Sequence, residues 1–202
     1  MKVTRDKMEE NRQQVIETAA RLLRECGYDG IGLADIMKNA GLTHGGFYRN
    51  FASKDDLVIK ASERAIADTQ AVLEDALAQT PQDPFRALIE LYVSSAHRDG
   101  TGSGCILPAL AADAARRNDP VLRAAFTSAI QYYVEQIAKL SSASPANSRH
   151  RHPAAILSEM VGAIILSRVI SDTHLRDSLL SAVVTDLVES EGSHTASQLE
   201  RA

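Results

Sequence analysis

The chain has 202 residues, of which 45% are hydrophobic and only 4% aromatic, with no Trp and a formal charge of −4. This is enough apolar material for one large or two small packed units, and the charge argues against a protein that coats nucleic acid non-specifically while leaving a local basic surface open. No run of about 18 uncharged apolar residues offers a membrane span, and Cys26 and Cys105, far apart, make neither a disulfide framework nor a metal-ligand pair.

Met1 to Arg12 mixes basic and acidic residues without an apolar stretch, so it does not read as a signal peptide and a cytoplasmic protein is expected; residues 1–10 read as a polar tail. Lys2, Arg5 and Lys7 there are either solvated or reach a phosphate or a minor groove. A first helix is predicted from Asn11 to Cys26, with Val15, Ala19, Leu22 and Cys26 inside and Arg12, Arg21 and Arg24 outside; Gly27 stops it. Leu33, Ile36, Met37 and Ala40 then share one face of a second helix, ended by Gly41. Thr43 is placed to cap a third helix running to about Asn50. That helix holds Gly45 and Gly46, each costing about 1 kcal/mol against alanine, so something other than helix stability selects them. Close approach to an external surface, such as a DNA major groove, fits. Phe47 points inward, whereas His44, Tyr48 and Arg49 can face out; the alternative for Tyr48 is a core aromatic with a satisfied hydroxyl. Ser53 reads as the cap of the next helix, with Asp55 and Asp56 suited to its dipole; Lys54 is not, which points to an anionic neighbour such as a phosphate or else to simple solvation.

From about Asn11 to Leu57 the chain resembles the DNA-binding domain of the TetR family of bacterial transcriptional regulators. The matching residues are Val15-Ile16, Ala19-Ala20 and Leu22-Leu23, then Gly27-Tyr28-Asp29-Gly30, Ala34-Asp35-Ile36, Ala40-Gly41-Leu42-Thr43, Gly45-Gly46-Phe47-Tyr48, and Phe51 with Ser53-Lys54. The resemblance implies a helix-turn-helix domain whose DNA-binding residues are Arg12, Thr43, His44, Gly45, Tyr48, Arg49 and Lys54, with the Tyr48 hydroxyl on a phosphate. His44 stands where many members carry Lys, and Asn50 where many carry His.

Beyond this segment the period stays helical, so the fold class is all-α. A long helix is predicted from Lys54 to about Gln79, broken by Thr80-Pro81-Gln82-Asp83-Pro84. Phe85 to about His97 follows, with Leu88, Leu91 and Tyr92 inward. Gly100 to Gly104 reads as a flexible loop; lacking a preceding strand and a Gly-Lys-Ser/Thr sequence, it is not a nucleotide cradle. The Gly104-Cys105 pair, leading into a short helix ended near Asn118, is similar to the N-ethylmaleimide reductase repressor group of the family, in which a cysteine here senses electrophiles and oxidants. Cys105 equally suits a small packing position. Val121 to Leu140 carries Leu122, Phe126, Ile130, Tyr133 and Ile137 at core spacing, with Gln131 and Tyr132 as polar groups for a cavity. Cys105, Phe126, Ile130 and Tyr133 are the candidate effector-binding or sensing residues. Ser141 to His152 is read as a loop whose histidines make a poor metal site.

Pro153 to Ser171 and Leu175 to Ser190 are predicted as two helices too apolar for a single buried face, and a second copy is the economical cover. Ile156, Met160, Ile164, Leu179, Val183 and Leu187 are the candidate dimer interface. The expected organisation is a helix-turn-helix domain over 1–52, a sensing and dimerising helical bundle over 53–190, and a polar tail over 191–202. The expected function is a homodimeric regulator, by preference a repressor, that binds a palindromic double-stranded DNA operator and is released by a small-molecule effector or thiol modification. No catalytic set, metal site, cofactor or membrane partner is expected. A small helical enzyme or a protein-binding adaptor is the alternative, for which no nucleophile with its base and no paired carboxylates can be assembled.

Overall fold

The computed structural model describes residues 5–143 and 151–188, so Lys2, the stretch ending at His150, and the tail from 191 lie outside the described residues. Its helices are α1 (Arg5–Cys26), α2 (Leu33–Asn39), a 3-10 helix (His44–Arg49), α3 (Lys54–Gln79), α4 (Pro84–Tyr92), α5 (Ser95–Asp99), α6 (Ile106–Arg117), α7 (Pro120–Ala143), α8 (Pro153–Val169) and α9 (Thr173–Val188). Among the described residues there is no strand, and no helix is long and apolar enough to cross a membrane.

The residues form two compact units. One comprises the chain up to Gln70 together with Gly100–Thr127; the other comprises Ala71–Asp99 and the described residues from Ser128 onward. The long helices α3 and α7 contribute residues to both.

In the first unit Val15, Ala19, Leu23, Tyr28, Ile36, Met37, Phe47, Leu57 and Ala61 are buried, as helical spacing predicts. Helix α1 begins earlier than the hydrophobic pattern does: polar residues extend it to Arg5, helped by Lys7–Glu10 and Arg12–Glu9 ion pairs at three-residue spacing. Two residues of α1 are reversed from expectation. Cys26 is exposed, whereas Arg24 is buried, its guanidinium donating to the Gly104 carbonyl at 3.2 Å. Burial pulls that guanidinium below its ordinary pKa. The Gly100–Gly104 segment is a packed turn: the Gly104 amide returns to the Gly100 carbonyl at 2.9 Å, and a Cβ on Gly102 would stand 2.3 Å from Glu25 Oε1.

In the second unit Asp83 caps α4 through the Arg86 amide, with Pro84 in the first turn. The helix predicted to His97 breaks at Val93, and Leu91 faces solvent while Leu88, Ile89 and Tyr92 face in. Arg98 is buried between Asp99 (2.7 Å) and Asp177 (2.5 Å), and Arg168 donates to the carbonyls of His97 and Arg98, tying α5 to α8 and α9. Helix α7 runs past Leu140 to Ala143. His152 caps α8 with its ring nitrogen, and Arg151 bridges Glu159 and Asp186.

Candidate nucleic-acid interface

Gly41 ends α2 with φ +69°, and the Leu42 amide closes the turn on Met37 at 2.9 Å. Thr43 is the residue before the 3-10 helix, but its hydroxyl makes no capping bond; the Gly46 amide bonds the Thr43 carbonyl instead, at 3.0 Å. The expected side-chain cap is thus replaced by the tighter backbone pattern that a 3-10 turn makes by itself. Asn50 Nδ2 donates to the Gly46 carbonyl at 3.0 Å and finishes the segment.

One side of this helix is fixed by aromatic packing. Phe47 is fully buried and stacks on Phe51 at 5.3 Å, with the Arg12 guanidinium over the Phe51 ring at 5.8 Å. Its other side is open: Thr43, His44, Gly45, Tyr48 and Arg49 are exposed, Tyr48 to 69%. Tyr48 is not a core aromatic. Its ring rests edge-on against Phe47 at 5.1 Å and lies 6.4 Å from His44, which sets the direction of its hydroxyl. Arg12 is half-buried beside this face and is paired with Glu9.

The two glycines have no intramolecular reason. A Cβ on Gly45 would meet nothing within 4 Å, and one on Gly46 only Thr43 Oγ1 at 3.9 Å. Neither has a positive φ. The helix therefore accepts the glycine cost without recovering it inside the chain.

Ser53 caps α3 through the Asp56 amide at 3.0 Å, and Asp56 returns to the Ala52 amide at 3.1 Å, a reciprocal cap. The Lys60 ammonium bonded to Asp56 holds that carboxyl below the usual range. Lys54 has a role that the sequence did not reveal. Its ammonium donates to the carbonyls of Tyr28 (3.1 Å) and Ile31 (2.9 Å), satisfying the turn between α1 and α2. An ammonium has three donors, so the anionic neighbour invoked for this lysine is at least partly a pair of backbone oxygens.

The candidate sensing residues are divided between the units, Cys105 and Phe126 in the first and Ile130 and Tyr133 in the second. Cys105 is buried, and its sulfur accepts from the Leu107 amide at the start of α6. Phe126 and Tyr133 are buried, Tyr133 edge-on to Tyr92 at 6.0 Å. Ile130 is 43% exposed, because α7 turns it away from the face of Ala129 and Tyr133. Gln131 is exposed, and Tyr132 donates to Glu74 at 3.2 Å. In the second unit a groove of about 600 Å³ is bounded by Val93, Arg98, Asp99, Asp177 and Leu180, none of them a sequence candidate.

The candidate dimer residues need correction. Ile156, Met160 and Ile164 are completely buried and Leu187 nearly so, which makes them core of their own chain; Leu179 and Val183 are half-buried. The outward apolar residues are Ile165, Leu166, Val169 and Leu175, with Val169 at 76% exposure. Neither helix confines its apolar residues to one side, so periodicity could not tell the face packed between α8 and α9 from the outer one.

Similarity to known proteins follows these elements. The profile of the family described as bacterial regulatory proteins, tetR family, matches residues 15–61. The HTH-type transcriptional regulator AcrR of Shigella flexneri is 30% identical over 90 residues, 45% of this chain and 42% of that one. The HTH-type transcriptional repressor NemR of Escherichia coli K12 is 29% identical over 108 residues, 52% and 54% of the two chains. The chain thus spans about half the length of these curated relatives. A crystal structure of a TetR transcriptional regulator from Chloroflexus aurantiacus J-10-FL is similar at TM-score 0.71 and 26% identity, covering 89% of this chain and 95% of that one.

Proposed function

We propose that the chain, whose residues 15–61 match the family of bacterial regulatory proteins, tetR family, is a cytoplasmic, DNA-binding transcriptional regulator of that family that acts as a homodimer. The observation that carries this reading is the exposed 3-10 helix, whose two glycines leave its backbone bare beside Tyr48. A duplex seated there would approach the backbone at Gly45 and Gly46, take the Tyr48 hydroxyl and the remaining Lys54 donor on phosphates, and meet His44, Arg49 and Thr43 at its groove. Arg12, at the rim, would add a phosphate contact.

One such head has weak specificity; two held together read half-sites of a palindrome about one helical turn or more apart. The outward residues Ile165, Leu166, Val169 and Leu175 support α8 and α9 as the pairing surface. Repression by steric exclusion suits this arrangement, and NemR is named a repressor. Release would follow from a small effector or from chemistry at Cys105, whose sulfur accepts from the Leu107 amide at the start of α6.

The experiment is fluorescence anisotropy with a duplex from upstream of the protein's own gene, titrated with salt. Binding that exceeds random DNA and falls linearly in log–log form is expected. Equal affinity for random DNA, or none, would overturn the reading in favour of a helical adaptor.

A further inference from the structure

Helix α6 lies at sequence positions expected for the sensing bundle, yet it packs in the same compact unit as α1, α2 and the 3-10 helix. It is fastened there at both ends. At its start, Arg24 holds the Gly104 carbonyl. At its end, the Tyr28 amide donates to Asp113 Oδ2 at 3.2 Å, and the Arg117 guanidinium pairs with Asp29 at 3.3 Å and Asp55 at 3.2 Å while lying 5.4 Å over the Tyr28 ring. These contacts converge on the turn that joins α1 to α2 and on the first turn of α3.

We propose that Asp113 and Arg117 are positioning residues for DNA recognition: they set the angle at which α2 and the 3-10 helix leave α1, without touching DNA themselves. Three features argue for alignment rather than mere adhesion. Arg117 joins two separate elements, Asp29 of the α1–α2 turn and Asp55 of α3, so losing it frees the angle between them. Asp113 accepts a backbone amide, which fixes the turn itself and not only a side chain. Lys54 completes the enclosure from α3 by donating to the carbonyl of the same Tyr28. Sequence spacing could not show this, since the partners are 85 and 88 residues apart.

This inference rests on the proposed DNA binding, and its test separates the two. In the full-length protein, Arg117→Gln, Arg117→Lys and Asp113→Ala are compared by amide hydrogen exchange without DNA, and by anisotropy with the upstream duplex and a random duplex. Faster exchange at Tyr28 and through α2, with the rest of the chain unchanged, is expected for Arg117→Gln and Asp113→Ala. Affinity for the upstream duplex should fall about threefold to tenfold, as the loss of partly exposed ion pairs implies. Random-duplex affinity should hold, the salt slope should stay within one phosphate contact, about 0.9, of wild type, and Arg117→Lys should recover part of the loss. Unchanged exchange in both disruptive variants overturns the clamp whatever DNA does. Altered exchange with undiminished upstream affinity overturns the positioning role. A wild-type protein that ignores the upstream duplex removes the function and this role together, and the exchange data then report the clamp alone.

Discussion

The hydroxyls of Tyr28 and Ser62 meet at 2.8 Å inside the first unit, where both residues are at most 1% exposed. Ser62 also bonds the Val58 carbonyl at 2.7 Å. A carbonyl only accepts, so the serine proton is committed there and the Tyr28 phenol donates to Ser62.

Burial pushes the Tyr28 phenol up to about 12. Its ordinary value is 10.0, so between these values the unfolded chain releases a proton that the folded chain retains. Stability must fall as pH rises through that window. Tyr28→Phe should remove much of this alkaline loss, at a cost near neutrality of about 0.5–1.5 kcal/mol for the lost hydrogen bond. Tyr132, also raised to about 12 by burial and by Glu74, accounts for a remainder. Urea midpoints of both proteins from pH 8 to 12 check this, and parallel curves would contradict it.

His97 gives the opposite limb. Its Nδ1 lies 2.7 Å from the Tyr92 carbonyl, so that nitrogen carries the proton, and burial, with Arg168 nearby, lowers its pKa below the ordinary 6.5. The unfolded chain then takes up a proton near 6.5 that the folded chain resists, and stability falls as pH drops below that value. His97→Gln should flatten the acid side of the midpoint curve between pH 7 and 5. An unaltered slope would show that the ring titrates normally.

The legible part of this chain was local. The 3.6-residue pattern located α1, α2 and α3, Gly41 marked a turn of positive φ, and Ser53 was readable as a cap. What stayed hidden depends on distant partners. The charge of Arg24 suits an outward position, but the residue is buried because a carbonyl 80 residues away receives it. Lys54 looked like a charge awaiting a phosphate, and two carbonyls of an earlier turn take most of its donors. Ile130 fits a core spacing, yet the buried face of α7 runs through Leu122, Phe126, Ala129, Tyr133 and Ile137. For the outward 3-10 helix the signal was present in the glycines themselves.

Helices α8 and α9 offer a direct contrast between core and surface. Ile164→Ala should destabilise the fold by about 2–5 kcal/mol, as buried truncations do. Leu166→Arg, on a residue 53% exposed, should leave folding nearly unchanged and convert the proposed dimer to monomer. Sedimentation equilibrium with a urea titration separates the effects. A Leu166→Arg protein that remains dimeric would move the pairing surface elsewhere.

The measurement that bears most directly on the outward 3-10 helix is Gly45→Ala, read for stability and DNA affinity in the same preparation. Among the described residues, and apart from its chain neighbours and its own helix backbone, nothing stands within 4 Å of the added Cβ, and the backbone there is not in the left-handed region. The variant should therefore fold as well as wild type or better, by about 0.4–1 kcal/mol. A methyl wedged against a docked duplex should weaken upstream-fragment binding about tenfold or more. Undiminished affinity in the stabilised variant would mean that DNA does not approach this helix.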